Sequence, residues 1–133
     1  MSGCLDFGAK SEFLAPNVTD QHLSIIEKRT GIKLPEGSIG QALYSDASGI
    51  DPWMIAKIQL PNDKVDDFRK SEQLRKEKSE KHSITTEPKH TWWTPGKLES
   101  NSSGQFMQAN ARVTWFLGRE VSNYILFLRW DTF

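Results

Sequence analysis

The strongest periodic pattern lies near the C-terminal end of the chain, where apolar and aromatic residues recur with a period of two. This period is typical of β-strands, because successive side chains of a strand point to opposite faces of its sheet. We predict one strand over 105–117 and another over 123–130, joined through a turn over 118–122. The first strand separates two sets of side chains, with Ala111, Val113, Trp115 and Leu117 on one face and Arg112, Thr114 and Phe116 on the other. Because both faces of 123–130 are largely apolar, we expect that strand at the centre of a sheet.

Two stretches nearer the N-terminus carry the signals of helices. The first helix is predicted over 20–30, where either Thr19 or Asp20 can cap the first turn. Gly31 can then adopt the left-handed conformation that ends a helix. A second helix is predicted to begin after Asn62, which can cap it, and to continue into a stretch of mixed charges. Each helix has a narrow apolar stripe, so each can cover only part of a sheet.

Shorter alternating runs over 38–44 and 53–60 predict two more strands, which follow the first helix as the C-terminal strands follow the second. The element order is therefore helix, strand, strand, repeated once (αββαββ). This order predicts an α+β fold of the two-layer sandwich type, with a four-stranded, mainly antiparallel sheet and both helices on one face. We assign 1–18 to an N-terminal tail or tether and 19–133 to a single α+β domain, with a mobile insertion at about 75–104 that is charged and contains tryptophan.

Composition excludes several classes of protein. A chain of 133 residues has the size of one domain and can bury enough surface to fold without disulfides. Basic and acidic residues balance at 17 each, so the chain has no overall basic field and we expect no nucleic-acid partner, although a neutral chain can still carry a local basic patch. The single cysteine rules out an internal disulfide and a cysteine metal cage. No apolar run reaches the about 18 residues that a membrane-spanning helix needs.

The sequence contains no motif that carries catalytic chemistry. His22, His82 and His90 do not have the spacing of metal ligands in a known motif. Gly37 and Gly40 are too close together for a phosphate-binding loop, and no lysine follows them at the required place. We therefore predict no catalytic residues, no metal site and no cofactor. A small enzyme whose site gathers residues from distant parts of the chain stays an open alternative.

The pair Trp92 and Trp93 stands out within a long stretch, 79–104, that is otherwise poor in apolar residues. One tryptophan could fill the edge of the core and fix the loop. Alternatively, the pair could form a contact surface, because tryptophan is enriched at interface hot spots. The sheet face away from the helices carries further aromatic residues that the helices cannot cover. We therefore predict partner binding at Trp53, Trp92, Trp93 and Phe116, with another protein or a second copy of the chain on this aromatic sheet face.

Ser2-Gly3-Cys4 resembles the end of a bacterial lipobox, in which small residues precede a cysteine that becomes lipidated. The resemblance implies lipidation at Cys4, contact with a membrane only through that anchor, and a location in the cell envelope or periplasm. If Met1 is the native start, Cys4 is a loop thiol and we expect a cytoplasmic protein. The segments Asp51-Pro52-Trp53 and Trp92-Trp93-Thr94-Pro95 are similar to small bacterial proteins that are often secreted or lipidated, and no activity follows from that similarity.

These features predict a non-enzymatic module that binds a protein or another ligand, anchored by lipid in the cell envelope if Cys4 is acylated. A compact sheet, surplus aromatic surface and a long tryptophan-bearing loop would also suit an immunity protein, which neutralises a bacterial toxin by covering its site. The immunity function and the small enzyme with a non-contiguous site are the two alternatives.

Overall fold

A computed structural model describes residues 10–47, 51–71, 74 and 90–132. These residues form six β-strands and two α-helices, with a 3₁₀ turn before the second helix and another before the fourth strand. The elements are β1 (Lys10–Leu14), α1 (Asp20–Thr30), β2 (Ile39–Asp46), β3 (Trp53–Leu60), α2 (Val65–Lys70), β4 (Glu99–Gln108), β5 (Ala111–Glu120) and β6 (Asn123–Thr132).

All six strands belong to one sheet in the order β1-β2-β3-β6-β5-β4, and every neighbouring pair is antiparallel. The sheet consists of two three-stranded meanders, joined at its centre by the pairing of β3 with β6. The expected central position of the last strand is confirmed. The prediction of a four-stranded α+β sandwich in the order αββαββ is wrong, because the described residues form a six-stranded, mostly β fold with two short helices.

The two strands that the sequence did not predict are the edges of the sheet. β1 has only five residues, too few for a clear period. β4 consists mainly of serine, asparagine, glycine and glutamine, which are poor strand formers, and its pairing with β5 overrides this propensity. The predicted strand over 105–117 covers the end of β4 and most of β5. The turn between them was missed because Ala109, with a φ of 56°, occupies a position that favours glycine.

Helix α1 begins and ends where its sequence signals predict. Thr19 is the N-cap: its side chain accepts a hydrogen bond from the His22 backbone N–H, and its own N–H donates to His22 Nδ1 at 3.0 Å. Gly31 ends the helix in the left-handed conformation, with φ 73°, and donates its N–H to the Glu27 carbonyl. Thr19, rather than Asp20, is therefore the cap.

The second helix is shorter than the sequence predicts. A 3₁₀ turn over Asn62–Lys64 leads into α2, which has six residues. Neither the turn nor α2 has a side-chain cap, so the predicted cap at Asn62 is wrong. Val65 and Phe68 are buried and hold α2 in the core, while the rest of the helix is mainly charged and exposed.

The sheet separates two hydrophobic clusters, one against each face. The first face packs against both helices, and its cluster includes Val113, Trp115 and Leu117 of β5. The second face has a smaller cluster, which contains Phe116 of the same strand. The predicted division of these side chains between two faces is therefore confirmed. The second cluster also includes residues of the segment 90–98, which we call the strap.

Candidate functional site

The strap crosses the second face of the sheet. At its start, His90 packs on Tyr44 of β2, with ring centroids 4.2 Å apart. At its centre, Trp93 meets Phe127 of β6 edge to face at 5.2 Å and Phe116 of β5 at 6.3 Å. A 3₁₀ turn then leads directly to β4. The strap therefore spans both meanders and covers apolar side chains that the helices cannot reach.

The four residues predicted to bind a partner all belong to this face, and the structure separates them into two kinds. Trp93 and Phe116 are each only 5% exposed, because they contact one another and Trp93 also lies against Phe127. Trp53 and Trp92 are only partly buried. A partner could therefore reach Trp53 and Trp92 without displacing the strap, whereas Trp93 and Phe116 are enclosed by the chain itself.

Trp53 and Trp92 form the two ends of a row of rings, Trp53, Tyr44, His90 and Trp92, which we call the aromatic surface. Neighbouring ring centroids lie 5.2, 4.2 and 5.8 Å apart along the row. These separations are in or near the range in which aromatic pairs attract one another. His90 is buried at 8% exposure, and the other three rings are partly exposed. The row is thus one continuous aromatic patch, supported from below by its buried member.

A carboxylate on the edge strand fixes one end of the aromatic surface. Glu12 of β1 lies opposite Tyr44 in the register of β1 with β2. Its Oε2 is 2.5 Å from His90 Nδ1 and accepts a hydrogen bond from Trp92 Nε1 at 3.3 Å. The Glu12 side chain is nevertheless 39% exposed. One carboxylate therefore orients two rings of the strap and remains accessible from solvent.

Charged side chains surround the other end of the aromatic surface. Arg129 of β6 lies over the Trp53 ring, with Cζ 5.1 Å from the ring centroid, and its Nε donates to Asp131 Oδ1 at 2.9 Å. An Arg112 nitrogen lies 3.6 Å from Asp131 Oδ2, which is buried and makes no hydrogen bond in the described part of the chain. The two arginines compensate the buried carboxylate, and the Arg112 side chain is still 44% exposed.

The sequence pattern does not indicate that Glu12, Tyr44 and His90 belong to one site. Glu12 and His90 are separated by 78 positions, so no local spacing could reveal their contact. Tyr44 was assigned to a predicted strand, but the pattern could not show that the strap would pass over it. The useful local signal was the pair Trp92 and Trp93. It indicated that the strap is unusual, but it did not indicate which residues of the sheet contact the strap.

The side chains of the site are aromatic rings and the charged groups at their two ends. Residues 10–47, 51–71, 74 and 90–132 contain no group of three or more His, Cys, Asp or Glu side chains that could hold a metal ion. Two open depressions flank the C-terminal end of α1, one of them shared with α2, and neither is lined by a residue of the aromatic surface. The aromatic surface itself offers ring stacking, indole and phenol hydrogen bonds, and ion pairing at both ends.

Several predictions concern other parts of the chain. Cys4 lies outside the described residues, so its lipidation and the envelope location stay predictions, as does toxin neutralisation. Among the described residues, neither helix has the length and hydrophobicity that crossing a bilayer requires. Of the segments assigned to a tail and an insertion, 10–14 form β1, 90–98 form the strap and 99–104 belong to β4. Residues 75–89, which include His82, lie outside the described residues.

Comparison of the chain with models of protein families, with characterised proteins and with solved structures finds no match. The geometry of the second face therefore carries the functional argument.

Proposed function

We propose that this chain is a protein-binding module whose partner docks on the aromatic surface. The observation that carries the proposal is the row of rings from Trp53 to Trp92, with Arg129 stacked at one end. Tryptophan, tyrosine and arginine are the residues most enriched among binding hot spots, because each combines a large contact area with a polar group. All three lie side by side here, on the face that the helices do not cover.

The rings are also held in place before any partner arrives. Trp92 is oriented by its hydrogen bond to Glu12, and Trp53 is held between Tyr44 and Arg129. A side chain that is already fixed loses little conformational entropy on binding, so more of its contact energy contributes to affinity. The contacts that fix the strap on the sheet therefore also fix the orientation of the partly exposed rings.

The charges near the aromatic surface favour a protein partner over a nucleic acid. Glu12 and Asp46 lie beside the rings at one side, and Asp131 lies with Arg112 and Arg129 at the other. A single nucleic-acid strand stacks its bases on rings within a groove of uniformly positive charge. The acidic side chains here would repel phosphates, whereas a protein segment with side chains of both signs can match the pattern.

The proposal predicts that Trp53→Ala and Trp92→Ala each weaken partner binding while the chain stays folded. Immobilised chain captures proteins from an extract of the source cells, the captured protein is identified and purified, and its binding to each variant is measured by calorimetry. We expect each substitution to cost about 2 kcal/mol of binding free energy, which is roughly a thirtyfold rise in Kd.

Ile39→Ala is the matched control, because Ile39 is a large apolar residue on β2 that is 55% exposed and lies outside the aromatic surface. Binding of the purified partner should be unchanged in this variant, and circular dichroism should show that all three variants are folded. An equal loss of binding with Ile39→Ala would contradict the proposal. So would full affinity in both tryptophan variants.

A further inference from the structure

The two edges of the sheet differ in how well they are protected against pairing with another strand. β1 has five residues, carries Lys10 and Glu12, and is bound to the strap through Glu12. Short length and charged side chains are the usual protections of an edge strand. β4 has ten residues, and from Ser102 to Gln108 it contains neither a charged residue nor a proline. Among the described residues, no strand lies beyond β4, and the part of its edge over 102–108 is neither short nor charged.

The register of β4 with β5 shows which backbone groups face that edge. Gln108 and Ala111 flank a two-residue turn, so they form a pair that exchanges both backbone hydrogen bonds. Bonded and non-bonded pairs alternate along an antiparallel ladder, so the pairs that Ser103 and Gln105 form with β5 are not hydrogen-bonded. The N–H and C=O groups of Ser103 and Gln105 therefore point away from β5. No hydrogen bond in the described part of the chain uses them.

We propose that β4 pairs in antiparallel orientation with β4 of a second copy of this chain, about a two-fold axis at Gly104. In this register, Ser103 of each copy lies opposite Gln105 of the other. Both residues present outward groups, so each such pair exchanges two backbone hydrogen bonds. Every outward N–H and C=O of Ser103 and Gln105 is then satisfied, and the sheet continues from one copy into the next.

The side chains of β4 favour a second copy as the occupant. Pairing about Gly104 brings no like charges together, because 102–108 is uncharged. The small Ser103 lies opposite the longer Gln105, which leaves room for the amide on the second face. At the axis itself, Gly104 has no side chain, and a Cβ there would lie 2.6 Å from the Trp115 ring. A foreign strand would need a sequence that meets these conditions, whereas a second copy meets all of them.

Ultracentrifugation over a range of protein concentrations tests the proposal. We expect the mass of the wild-type chain to rise from 15.2 kDa toward twice that value as concentration increases. Ser103→Pro removes the outward N–H and places the proline ring in the path of the second strand. An edge strand tolerates this change, because the lost N–H makes no hydrogen bond in the part of the chain that the structure describes. Each dimer loses two hydrogen bonds, so its dissociation constant should rise at least about tenfold.

Ser103→Ala is the matched control, because it changes the side chain and keeps the N–H, so dimerisation should be unaffected. A monomer at every concentration, or a dimer that Ser103→Pro leaves intact, would overturn the proposal. Hydrogen exchange of the wild type gives a second readout that needs no variant. The amides of Ser103 and Gln105 should exchange more slowly as the chain concentration rises. Protection that appears only when the captured partner protein is added would assign the edge to that partner and overturn the dimer.

The dimer and the proposed function are tested independently. The aromatic surface involves β2, β3 and the strap, whereas the dimer uses the opposite edge of the sheet. Trp53→Ala should therefore leave the dimer unchanged, and Ser103→Pro should leave each copy able to bind the partner. A negative result for the dimer would therefore leave the proposed partner binding intact, and a negative result for partner binding would leave the dimer intact.

Discussion

Val121 and Ser122 form the two-residue turn between β5 and β6, and the first of them is in an unfavourable conformation. Val121 has a φ of 58°, in the left-handed region that β-branched residues rarely adopt. This conformation costs an L-residue about 1–2 kcal/mol, and glycine avoids the cost. The Val121 side chain is 86% exposed, so little packing within the described residues offsets the strain.

We predict that Val121→Gly raises the free energy of unfolding by roughly 1 kcal/mol, because relief of the strain exceeds the entropy that glycine adds to the unfolded chain. Ser122→Gly is the matched control at the next position, which does not have a positive φ. That change adds entropy to the unfolded state without relieving strain, so it should destabilise the protein. Urea denaturation of both variants gives the comparison, and destabilisation by Val121→Gly would refute the strain argument.

His22 takes the place that glutamate or glutamine usually has in a capping box. Its Nδ1 accepts the Thr19 N–H, and its ring packs on Phe13 with centroids 4.2 Å apart. Burial lowers the pKa of His22 below 6.5, and a hydrogen bond to the Asn17 backbone opposes the shift without cancelling it. A protonated imidazole has no acceptor, so the cap requires the neutral ring.

A folded-state pKa below the unfolded value means that His22 contributes stability above the unfolded pKa and that this contribution is lost as the pH falls through the folded pKa. His22→Gln keeps an acceptor in the capping box and does not titrate. Between about pH 7 and pH 5, we expect the wild type to lose stability relative to the glutamine variant. Urea denaturation of both proteins across this range measures the difference. A difference that stays constant with pH would show that His22 is not responsible.

At the scale of the elements, Trp93 is the residue that anchors the strap to the sheet. Trp93 is enclosed between the strap and the rings of Phe116 and Phe127. Trp93→Ala should lower the free energy of unfolding by about 3–5 kcal/mol, because it leaves a cavity in the second cluster. Trp92→Ala serves as the control and should cost about 1 kcal/mol or less, because its ring is partly exposed. Equal losses in chemical denaturation would mean that the strap is not anchored as described.

Elements with strong local signals were predictable, and those that depend on pairing were not. The N-cap and C-terminal glycine of α1 and the alternating pattern of β5 each depend on residues close together in sequence, and the structure confirms both. The edge strands β1 and β4 exist because each pairs with a neighbour that has stronger propensity. Composition alone therefore indicated irregular structure over 10–14 and over 99–104.

The candidate site was predictable in part, for the same physical reason. The sequence identified Trp92 and Trp93 as unusual. In an extended segment that crosses a sheet, two adjacent side chains point in opposite directions, so only one of the two tryptophans can face the sheet. Which of the two is buried depends on the path of the strap over Phe127. The partners that orient the exposed ring come from β1, far away in sequence. Neither relation has a local signature.

At the scale of the whole molecule, the two faces of the sheet differ in what covers them. The first face packs against both helices and contains the larger cluster, so it supplies most of the stability. The second face has one part closed by the strap and another part that presents the aromatic surface. The central pair of strands, β3 and β6, contributes side chains to both faces and keeps them in fixed relation. The proposed function thus assigns partner contact to the second face, whereas the larger hydrophobic cluster lies against the first.

Oxidative footprinting of the tryptophans, with and without the captured partner, tests this division most directly. Trp130 is an internal control, because it is partly exposed but belongs to the first face. We expect Trp53 and Trp92 to be labelled in the free protein and protected in the complex. Trp130 should be labelled equally in both states, and Trp93 in neither. Protection of Trp130 with no change at Trp53 and Trp92 would contradict the assignment of the aromatic surface to the partner.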